Sequence, residues 1–513
     1  MNQIVIVGGG TAGWLTAGLL AATHCKPDDA GNLLSITVIE SESVHPIGVG
    51  EGTWPTMRQT LSKIGISESD LVKRASATFK QASKFVNWHH SGLGNAYYHP
   101  FSAPQGSAHL DISPYWLSMN TEQGQYASDV CFQPTLCDEG LAPKMSPQSN
   151  QSFVANYGYH LDAGQFIELL RSHCVQKLGV NRIVDDVTSV QQNEMGISGL
   201  STRGHGEIQA DLYVDCSGFS GLLIDKALNI ELTDASHILF ADRALVFQLP
   251  YQDPNAPIAC YTQSTAQKAG WVWDIALQHR RGTGYVYSSR HQDDEAARET
   301  FADYLKLHTS DSIDTSSFRE IRFKTGYRKK FWEKNCVAIG LSSGFLEPLE
   351  ASSLMLIEQS ATLLAEQLPA DKCVMASVER RFNEQLKGMW ESAINFLKLH
   401  YVLSNNDSPF WKDNRSSESI PFELSALLEE WRLRPVLESD FSRTSDTFSA
   451  QSYRYILYGM LDKAEGATAN SFYKRALKHV DFANKQLSLN KALIKQLQAR
   501  MPSHRGLIDS FFK

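Results

Sequence analysis

What this sequence lacks already narrows its function. With 48 Lys and Arg against 56 Asp and Glu, the 513-residue chain has a net charge of −8, and no basic patch is visible, which argues against a nucleic-acid partner. No apolar run is long enough to span a bilayer, and no repeat or low-complexity tract is present. The eight cysteines have no CxxC or Cys/His spacing, so no metal site is expected. Because no signal peptide is evident, they are expected to be reduced thiols in a cytoplasmic protein.

What is present begins with a glycine motif. Residues 4–7 form an apolar, β-branched run, Gly8-x-Gly10-x-x-Gly13 follows at once, and an Ala- and Leu-rich helical stretch comes next. This junction provides the tight turn, close backbone approach and helix amides that a dinucleotide pyrophosphate needs. We therefore predict cofactor binding at Gly8, Gly10, Thr11, Ala12 and Gly13. The alternative is an ordinary βαβ unit with glycines for packing only.

Three further segments fit a dinucleotide. The strand at 34–39 ends at Glu40, whose carboxylate can accept hydrogen bonds from an adenosine ribose; its distance from the motif exceeds the usual value of about 20 residues, and a polar insert at 26–32 accounts for the excess. The loop containing Gly48, Val49 and Gly50 suits backbone lying against a flat ligand. A strand at 210–215 enters a second turn at Gly218. Two glycine turns so far apart favour a flavoprotein over a nicotinamide dehydrogenase.

Two lysines, Lys80 and Lys84, interrupt an apolar segment at 77–88. Their spacing of four predicts that both point the same way in a helix or a strand. Considered alone, they favour a solvated basic edge.

Residues 240–290 predict an antiparallel sheet. Residues 92–153 look irregular, typical of an insertion or lid. Strands are expected at 182–190, 244–249, 270–275 and 284–289, with a hairpin at 199–208 and a turn at Arg281-Gly-Thr-Gly284. Trp271 and Trp273 share one strand face, as a core pair or as walls of an aromatic pocket.

The loop at 341–353 leads into a helix expected at 354–368. Ser352 or Ser353 is a natural N-cap, so free amides and the positive end of the helix dipole should form an anion site there. Further helices are expected at 378–401, 422–433 and 473–500. They predict a helical subdomain at 369–513 that closes a pocket against a catalytic domain at 1–368.

Taken together, these motifs resemble the flavin-dependent tryptophan halogenase family. The matching elements, in chain order, are Gly8-x-Gly10-x-x-Gly13, Gly48-Val-Gly-Glu51, Thr78-Phe-Lys80, Asp215-Cys-Ser-Gly-Phe219, Gly270-Trp-x-Trp-x-Ile275, Phe345-Leu-Glu-Pro-Leu-Glu350, His400-Tyr401 and Ser408-Pro-Phe-Trp411. The resemblance implies a Rossmann-like α/β FAD-binding fold of the glutathione-reductase/hydroxylase type, with an antiparallel sheet and a helical C-terminal subdomain.

The resemblance also implies a reaction and assigns residues to it. Reduced FAD from a separate flavin reductase, oxygen and a chloride or bromide ion yield hypohalous acid, which reaches Lys80 and halogenates an aromatic carbon. Lys80 is then catalytic, and Glu350 polarises the electrophile or takes the ring proton. The implied neighbours of FAD are Val187, Leu341 and Leu354, those of the halide are Ser352 and Ser353, and those of the substrate are Trp271, Trp273, Phe448 and Tyr453.

Three departures from the family pattern stand out: Ala276 replaces a proline, Ala351 a serine, and Ser352-Ser353 a Thr-Gly pair. The segment at 437–455 also lacks the aromatic pairs that grip the amino-acid end of tryptophan in this family, so we expect a free indole or another unanchored aromatic; Arg454 or residues 92–153 are the alternative grip. A flavin monooxygenase and a non-catalytic FAD-binding partner are the competing functions. A homodimer is one possible assembly.

Overall fold

The computed structural model describes residues 1–25, 34–43, 50–90, 95–118, 125–148, 153–441, 443–461 and 478–513. Two predicted cofactor residues, Gly48 and Val49, lie outside these ranges. The strands are, in chain order, β1 Gln3–Val7, β2 Ser35–Glu40, β3 Gly50–Gly52, β4 Thr78–Lys80, β5 Ala82–Val86, β6 Ala96–Pro100, β7 Gly158–Asp162, β8 Asn181–Val184, β9 Val187–Asn193, β10 Gly196–Thr202, β11 Gly206–Ile208, β12 Leu212–Asp215, β13 Leu232–Asp234, β14 Arg243–Pro250, β15 Tyr261–Gln267, β16 Gly270–Ala276, β17 Arg280–Tyr287, β18 Arg319–Arg322, β19 Gly326–Arg328, β20 Trp332–Glu333, β21 Cys336–Ala338 and β22 Gly344–Phe345.

The α-helices are, in chain order, α1 Thr11–His24, α2 Met57–Ile64, α3 Glu68–Arg74, α4 Ser113–Ser118, α5 Tyr126–Val130, α6 Gln133–Asp138, α7 Ala163–Lys177, α8 Asp294–Lys306, α9 Ser352–Gln367, α10 Met375–Val402, α11 Pro409–Asn414, α12 Phe422–Trp431, α13 Ala450–Gly459, α14 Val480–Gln498 and α15 His504–Ser510. None of the helices within the described ranges is both long and apolar enough to cross a membrane.

The chain forms two compact units, each built from three segments. The first unit comprises 1–77, 161–235 and 323–391, and the second comprises 78–160, 236–322 and 392–513. The predicted division of the chain after residue 368 stays a prediction.

The first unit is organised around a sheet in the order β20-β21-β12-β1-β2-β8. From β21 to β8 all neighbours are parallel, and the central strand β1 is buried from Ile4 to Val7. A strand that is apolar on both faces suits a parallel sheet covered on both sides. The predicted α/β fold is confirmed, with the glycine motif directly after the central strand.

The first unit also contains two smaller sheets, β11-β10-β9 and β13-β19-β22. The hairpin expected at 199–208 is confirmed as β10 and β11, which pair antiparallel. The single strand expected at 182–190 is wrong, because β8 and β9 are separate. Between them, the Asp185 carboxylate accepts backbone hydrogen bonds from Gly204 and His205, which fixes a turn that the apolar pattern does not reveal.

The second unit is organised around a sheet in the order β18-β14-β17-β16-β15-β5-β6. Its neighbours are antiparallel except β15 and β5, so the predicted antiparallel sheet is confirmed. The turn expected at 281–284 is wrong, because these residues belong to β17. Gly284 lies opposite Trp273 in the register, and a Cβ there would lie 2.1 Å from the Trp273 indole. This glycine makes room for a side chain and does not mark a turn.

The stretch 92–153 is more regular than expected. Strand β6 lies within it and is an edge strand of the seven-stranded sheet, paired with β5, and the short helices α4, α5 and α6 follow. The expectation of an irregular stretch is wrong for these residues, because elements of five or six residues are too short to show a hydrophobic period.

Candidate active site

The glycine motif has the backbone geometry that its spacing predicts. Gly8 has φ 120°, and a Cβ on it would lie 2.1 Å from the Cys216 carbonyl oxygen; one on Gly13 would lie 1.9 Å from the Gly8 carbonyl oxygen. These two glycines let β1, α1 and the end of β12 pack closely. At Gly10, by contrast, no atom of the described residues lies within 4 Å of the Cβ position. Thr11 and Ala12 begin α1 there, so their backbone N–H groups lack helical partners, and binding of a pyrophosphate at this point stays a prediction.

Glu40 ends β2 beside this motif. Its carboxylate accepts hydrogen bonds from Trp14 Nε1 at 3.1 Å and from Arg182 Nε at 2.5 Å, and Arg171 lies 3.4 Å away. A Cβ on Gly9 would meet the same carboxylate. Glu40 therefore holds the glycine loop through partners far away in the sequence, and its predicted role toward a ribose stays a prediction.

The second glycine turn is fixed by the carboxylate that precedes it. Asp215 accepts hydrogen bonds of 2.8 Å from the backbone N–H groups of Leu223 and Ile224. Gly218 has φ 72° and, like Gly10, no described atom within 4 Å of its Cβ position. Val187 lies partly buried beside the core of the first unit.

The predicted catalytic carboxylate lies on a strained turn. Glu350 (φ 61°) and Ala351 (φ 57°) are consecutive non-glycine residues in the left-handed region, a conformation that costs roughly 1–2 kcal/mol per residue. Trp54 Nε1 donates a 2.9 Å hydrogen bond to the Glu350 carbonyl oxygen, and Glu350 is 5% exposed. Backbone strain of this kind is concentrated at functional sites.

The strained turn moves the start of the following helix. The N-cap of α9 is Ala351, without a side-chain cap, so the prediction of Ser352 or Ser353 as N-cap is wrong. Both serines are instead in the first turn, where backbone N–H groups lack helical partners. Ser352 Oγ is fully buried and makes no hydrogen bond within the described ranges, whereas Ser353 Oγ donates to the Leu346 carbonyl oxygen.

A small pocket of the first unit lies at this helix start. Leu341, Phe345, Leu346, Ser353 and Trp390 are among its lining residues, so two of the predicted ligand contacts, Leu341 and Ser353, share one cavity. Leu354, the third residue of α9, is 5% exposed.

Further along α9, Glu358 is a buried carboxyl group that the sequence does not single out. It accepts hydrogen bonds from Thr56 Oγ1 at 3.0 Å and Thr60 Oγ1 at 2.6 Å. Burial raises the pKa of Glu358 to about 7, although the two hydroxyl donors oppose the shift. It connects the helix that begins after Ala351 with α2.

In the second unit, Lys80 and Lys84 have different environments. Lys80 ends β4 with 0% exposure. Lys84 lies in β5, partly exposed, and pairs with Asp138 at 2.8 Å. The expectation that both point the same way is wrong, because Gln81 interrupts the strand: its N–H donates to the Cys260 carbonyl oxygen, and the chain changes pairing partner from β7 to β15.

The Lys80 ammonium lies 5.3 Å from the centroid of the Phe101 ring. His160 lies on β7 opposite Thr78. It is an ionisable neighbour of Lys80 that sequence reasoning missed. Burial, and then the charge of Lys80, lower the pKa of His160 well below its usual value, while its Nε2 lies 2.8 Å from Thr262 Oγ1. No local sequence signal identifies His160, because 80 residues separate it from Lys80.

The two tryptophans of β16 lie in a cluster of aromatic rings. Trp271 and Trp273 are 1% and 6% exposed, with ring centroids 6.4 Å apart, and Trp88 lies 6.2 Å from Trp271. The ring of Trp411 packs on Trp88 at 5.2 Å. This packing supports the core alternative for Trp271, and the role of both as pocket walls stays a prediction.

The predicted substrate residues near the C-terminus also pack among aromatic rings. Phe448 stacks on Phe396 at 3.7 Å, and Tyr453 contacts the same ring at 4.9 Å. Arg454 is 5% exposed; its guanidinium donates to the Val436 carbonyl oxygen and pairs with Asp111 and Glu438. To bind the amino-acid end of a substrate, Arg454 would therefore have to break its contacts with these three partners.

A parallel sheet with an open glycine loop, a second glycine turn and a strained turn leading into a helix N-terminus is the architecture of a flavin-binding α/β enzyme. Comparison with known proteins gives the particular family. A family model described as tryptophan halogenase matches residues 3–470. The chain belongs to the tryptophan halogenase family, and it is an enzyme, a flavin-dependent halogenase.

Relatives with curated functions and with solved structures agree. The tryptophan 6-halogenase ThaL of Streptomyces albogriseolus is 34% identical over 433 residues, covering 81% of this chain and 79% of that protein. A solved tryptophan halogenase from Shewanella frigidimarina is 44% identical, with a TM-score of 0.93, covering 100% of this chain and 97% of that one. BrvH, a flavin-dependent halogenase from Brevundimonas sp. BAL3, is 31% identical with a TM-score of 0.83, covering 99% of each chain.

Proposed function

We propose that this enzyme uses reduced FAD, oxygen and chloride or bromide to halogenate an electron-rich, indole-like aromatic substrate, and that a separate flavin reductase supplies the reduced FAD. Bound reduced FAD, together with oxygen, supplies the two-electron oxidation that converts halide into an electrophilic halogen. The observation that carries the proposal is the complete burial of Lys80 at the end of a strand. Burying an ammonium is costly, which supports a functional role for Lys80.

Lys80 receives the electrophilic halogen in this proposal. As the ammonium, its Nζ donates a hydrogen bond to the oxygen of hypohalous acid; as the neutral amine, it attacks the halogen, exchanges an N–H proton for it and releases water. In both cases the side chain must be fixed. The Phe101 ring and the strand β4 support this, because they restrict the side chain.

Glu350 takes the proton that the aromatic ring loses when the halogen is added. A general base must stay in position while charge develops, and the turn anchored by Trp54 supports such a role. The backbone amides of Ser352 and Ser353 hold the halide. The buried Ser352 hydroxyl supports this assignment, since it is one more donor at the same helix start.

FAD is held by the glycine motif, Glu40, Gly50, Val187, Gly218, Leu341 and Leu354. The open Cβ positions at Gly10 and Gly218 support this assignment, because each leaves backbone accessible to a ligand where any side chain would intrude.

The substrate is a free indole or another unanchored aromatic, and not free tryptophan. A bound amino-acid zwitterion needs charge-matched partners. In the segment at 437–455, Thr447-Phe448 stands in place of an aromatic pair that would grip the amino-acid end. The ion pairs that already occupy Arg454 support this reading.

The test is product analysis by mass spectrometry with reduced FAD, a panel of indoles and phenols, and chloride, bromide or no halide. We expect halogenated product that depends on halide, and none when NADH and FAD are supplied without a reductase. An oxygenated product that forms equally well without halide would instead establish a flavin monooxygenase.

A further inference from the structure

The strand that carries Lys80 is held by the last helix of the described chain. The Phe79 N–H donates a 2.9 Å hydrogen bond to His504 Nε2, and the other ring nitrogen, Nδ1, lies 2.9 Å from the Ile258 carbonyl oxygen. Phe79 and His504 are 0% and 1% exposed. The ring of His504 therefore bridges β4 and the segment before β15.

The protonation state of His504 follows from its two partners. Burial, more than any other cause, lowers the pKa of His504 to about 4, so the ring is neutral near pH 7 and carries one N–H. The Ile258 carbonyl can only accept, which places that proton on Nδ1. Nε2 is then the acceptor that the Phe79 N–H requires.

Side-chain packing holds the same point of the strand. The Phe79 ring lies 5.9 Å from the His504 ring and 6.2 Å from the Phe511 ring, and the Lys144 ammonium lies within 5.6 Å of both phenylalanine rings. Because side chains alternate along a strand, this packing covers the Phe79 face and leaves the Lys80 side chain on the opposite face.

We infer that His504 is a positioning residue for Lys80: by accepting the Phe79 N–H, it fixes the strand end from which the lysine side chain projects. The inference rests on the catalytic role proposed for Lys80. Without the ring acceptor, Phe79 has an unsatisfied buried N–H, and the strand end moves toward another partner. A displacement of only ~1 Å at a reacting group can reduce the rate about 10²-fold.

Variants at positions 503 and 504 distinguish the effect of the hydrogen bond to Phe79 from the effect of the helix itself. His504→Leu removes the acceptor, and His504→Gln restores an amide oxygen close to the position of Nε2, together with a donor. His504→Asn carries the same amide on a shorter side chain. Ser503→Ala is the control, because it removes the N-cap that accepts from the Gly506 N–H without touching Phe79.

Two measurements apply to each variant: amide hydrogen exchange at Phe79, and halogenated product formed per reduced FAD oxidised. For His504→Leu we expect faster exchange at Phe79 and at least about a tenfold loss of product per flavin, with FAD binding unchanged. Gln should recover both quantities to within about threefold. Ser503→Ala should leave product per flavin unchanged.

Unchanged product yield in His504→Leu, despite faster exchange at Phe79, overturns the inference; so does a Gln variant that restores slow exchange but not product. If the Leu variant does not fold, the Gln and Asn variants decide, and equal product from both contradicts a role for the acceptor position. If the wild-type enzyme gives no halide-dependent product, the proposed function is wrong. The exchange rates then still test whether His504 stabilises the Phe79 N–H.

Discussion

Trp54 donates its indole N–H to the backbone carbonyl of Glu350, 2.9 Å away. The bond holds a residue whose φ of 61° is unfavourable for any side chain with a Cβ. Glu350 is followed by a second such residue, Ala351, so the turn depends on contacts that hold it from outside.

We predict that Glu350→Gln lowers the rate of halogenation by about 10²–10⁴-fold, the usual contribution of a general base. The amide has nearly the same shape and leaves the backbone bond to Trp54 in place, so FAD binding should not change. Single-turnover product formation and FAD titration measure the two properties. A rate within twofold of wild type would exclude Glu350 as the base.

Ala351→Gly should stabilise the protein by about 1 kcal/mol, because glycine adopts a positive φ without the steric cost paid by alanine. The matched control is Ala361→Gly in the same helix α9, where the backbone is helical and the same change should destabilise by about 1 kcal/mol. Thermal unfolding of both variants gives the comparison. A lower melting temperature for both variants would show that the positive φ of Ala351 does not destabilise the protein.

Lys80→Met should reduce halogenated product by at least about 10²-fold, while FAD binding and oxygen consumption stay near wild type. Lysine chemistry follows oxidation of the halide in the proposed reaction, so the two should separate. Lys84→Met is the control, since Lys84 is partly exposed, pairs with Asp138 and lies over the rings of Tyr98 and Tyr261. Equal product from both variants would remove Lys80 from the mechanism.

Glu358 makes stability depend on pH. Its pKa in the folded protein is about 7, against an ordinary 4.5, so its stabilising contribution is complete below pH 4.5 and is lost as the pH rises through 7. Glu358→Gln should remove this dependence and stabilise the protein at pH 8 by up to about 3 kcal/mol. Denaturant unfolding at pH 5 and pH 8 tests this, with the exposed Glu366→Gln of the same helix as control. Parallel pH profiles for wild type and Glu358→Gln would refute the prediction.

Indole should be turned over in preference to L-tryptophan under identical halide and FAD supply. The physical reason is that Arg454, the residue considered for holding a carboxylate, is buried with Asp111, Glu438 and the Val436 carbonyl as partners. Competition of the two substrates in one reaction measures the ratio directly. A preference for tryptophan of about tenfold, or 1.4 kcal/mol in the transition state, would show that another group supplies the grip.

Local patterns predict the first unit well. The βαβ start and the hairpin β10–β11 each depend on neighbouring residues, and the structure agrees with both. Sequence reasoning failed where a distant partner decides the outcome. Gly284 looks like part of a turn until Trp273 is seen opposite it, and the N-cap of α9 is displaced because Trp54, almost 300 residues away, holds the preceding turn.

The candidate site shows the same limit. Lys80 in its own segment resembles a surface lysine, and only the family resemblance indicates catalysis; its neighbours β7 and Phe101 are brought to it by the fold. Glu40 was identified from its strand position, yet Arg171 and Arg182, which bind its carboxylate, are 131 and 142 residues away. Such long-range pairs have no signature in a single sequence.

The hydrogen bond from Phe79 to His504 joins residues 425 positions apart. During synthesis, the strand that ends in Lys80 is made 425 residues before its acceptor. The growing chain therefore carries the nucleotide-binding motif long before the lysine can be held in place. A chain truncated before residue 504 would therefore keep the glycine motif but lose the acceptor of the Phe79 N–H.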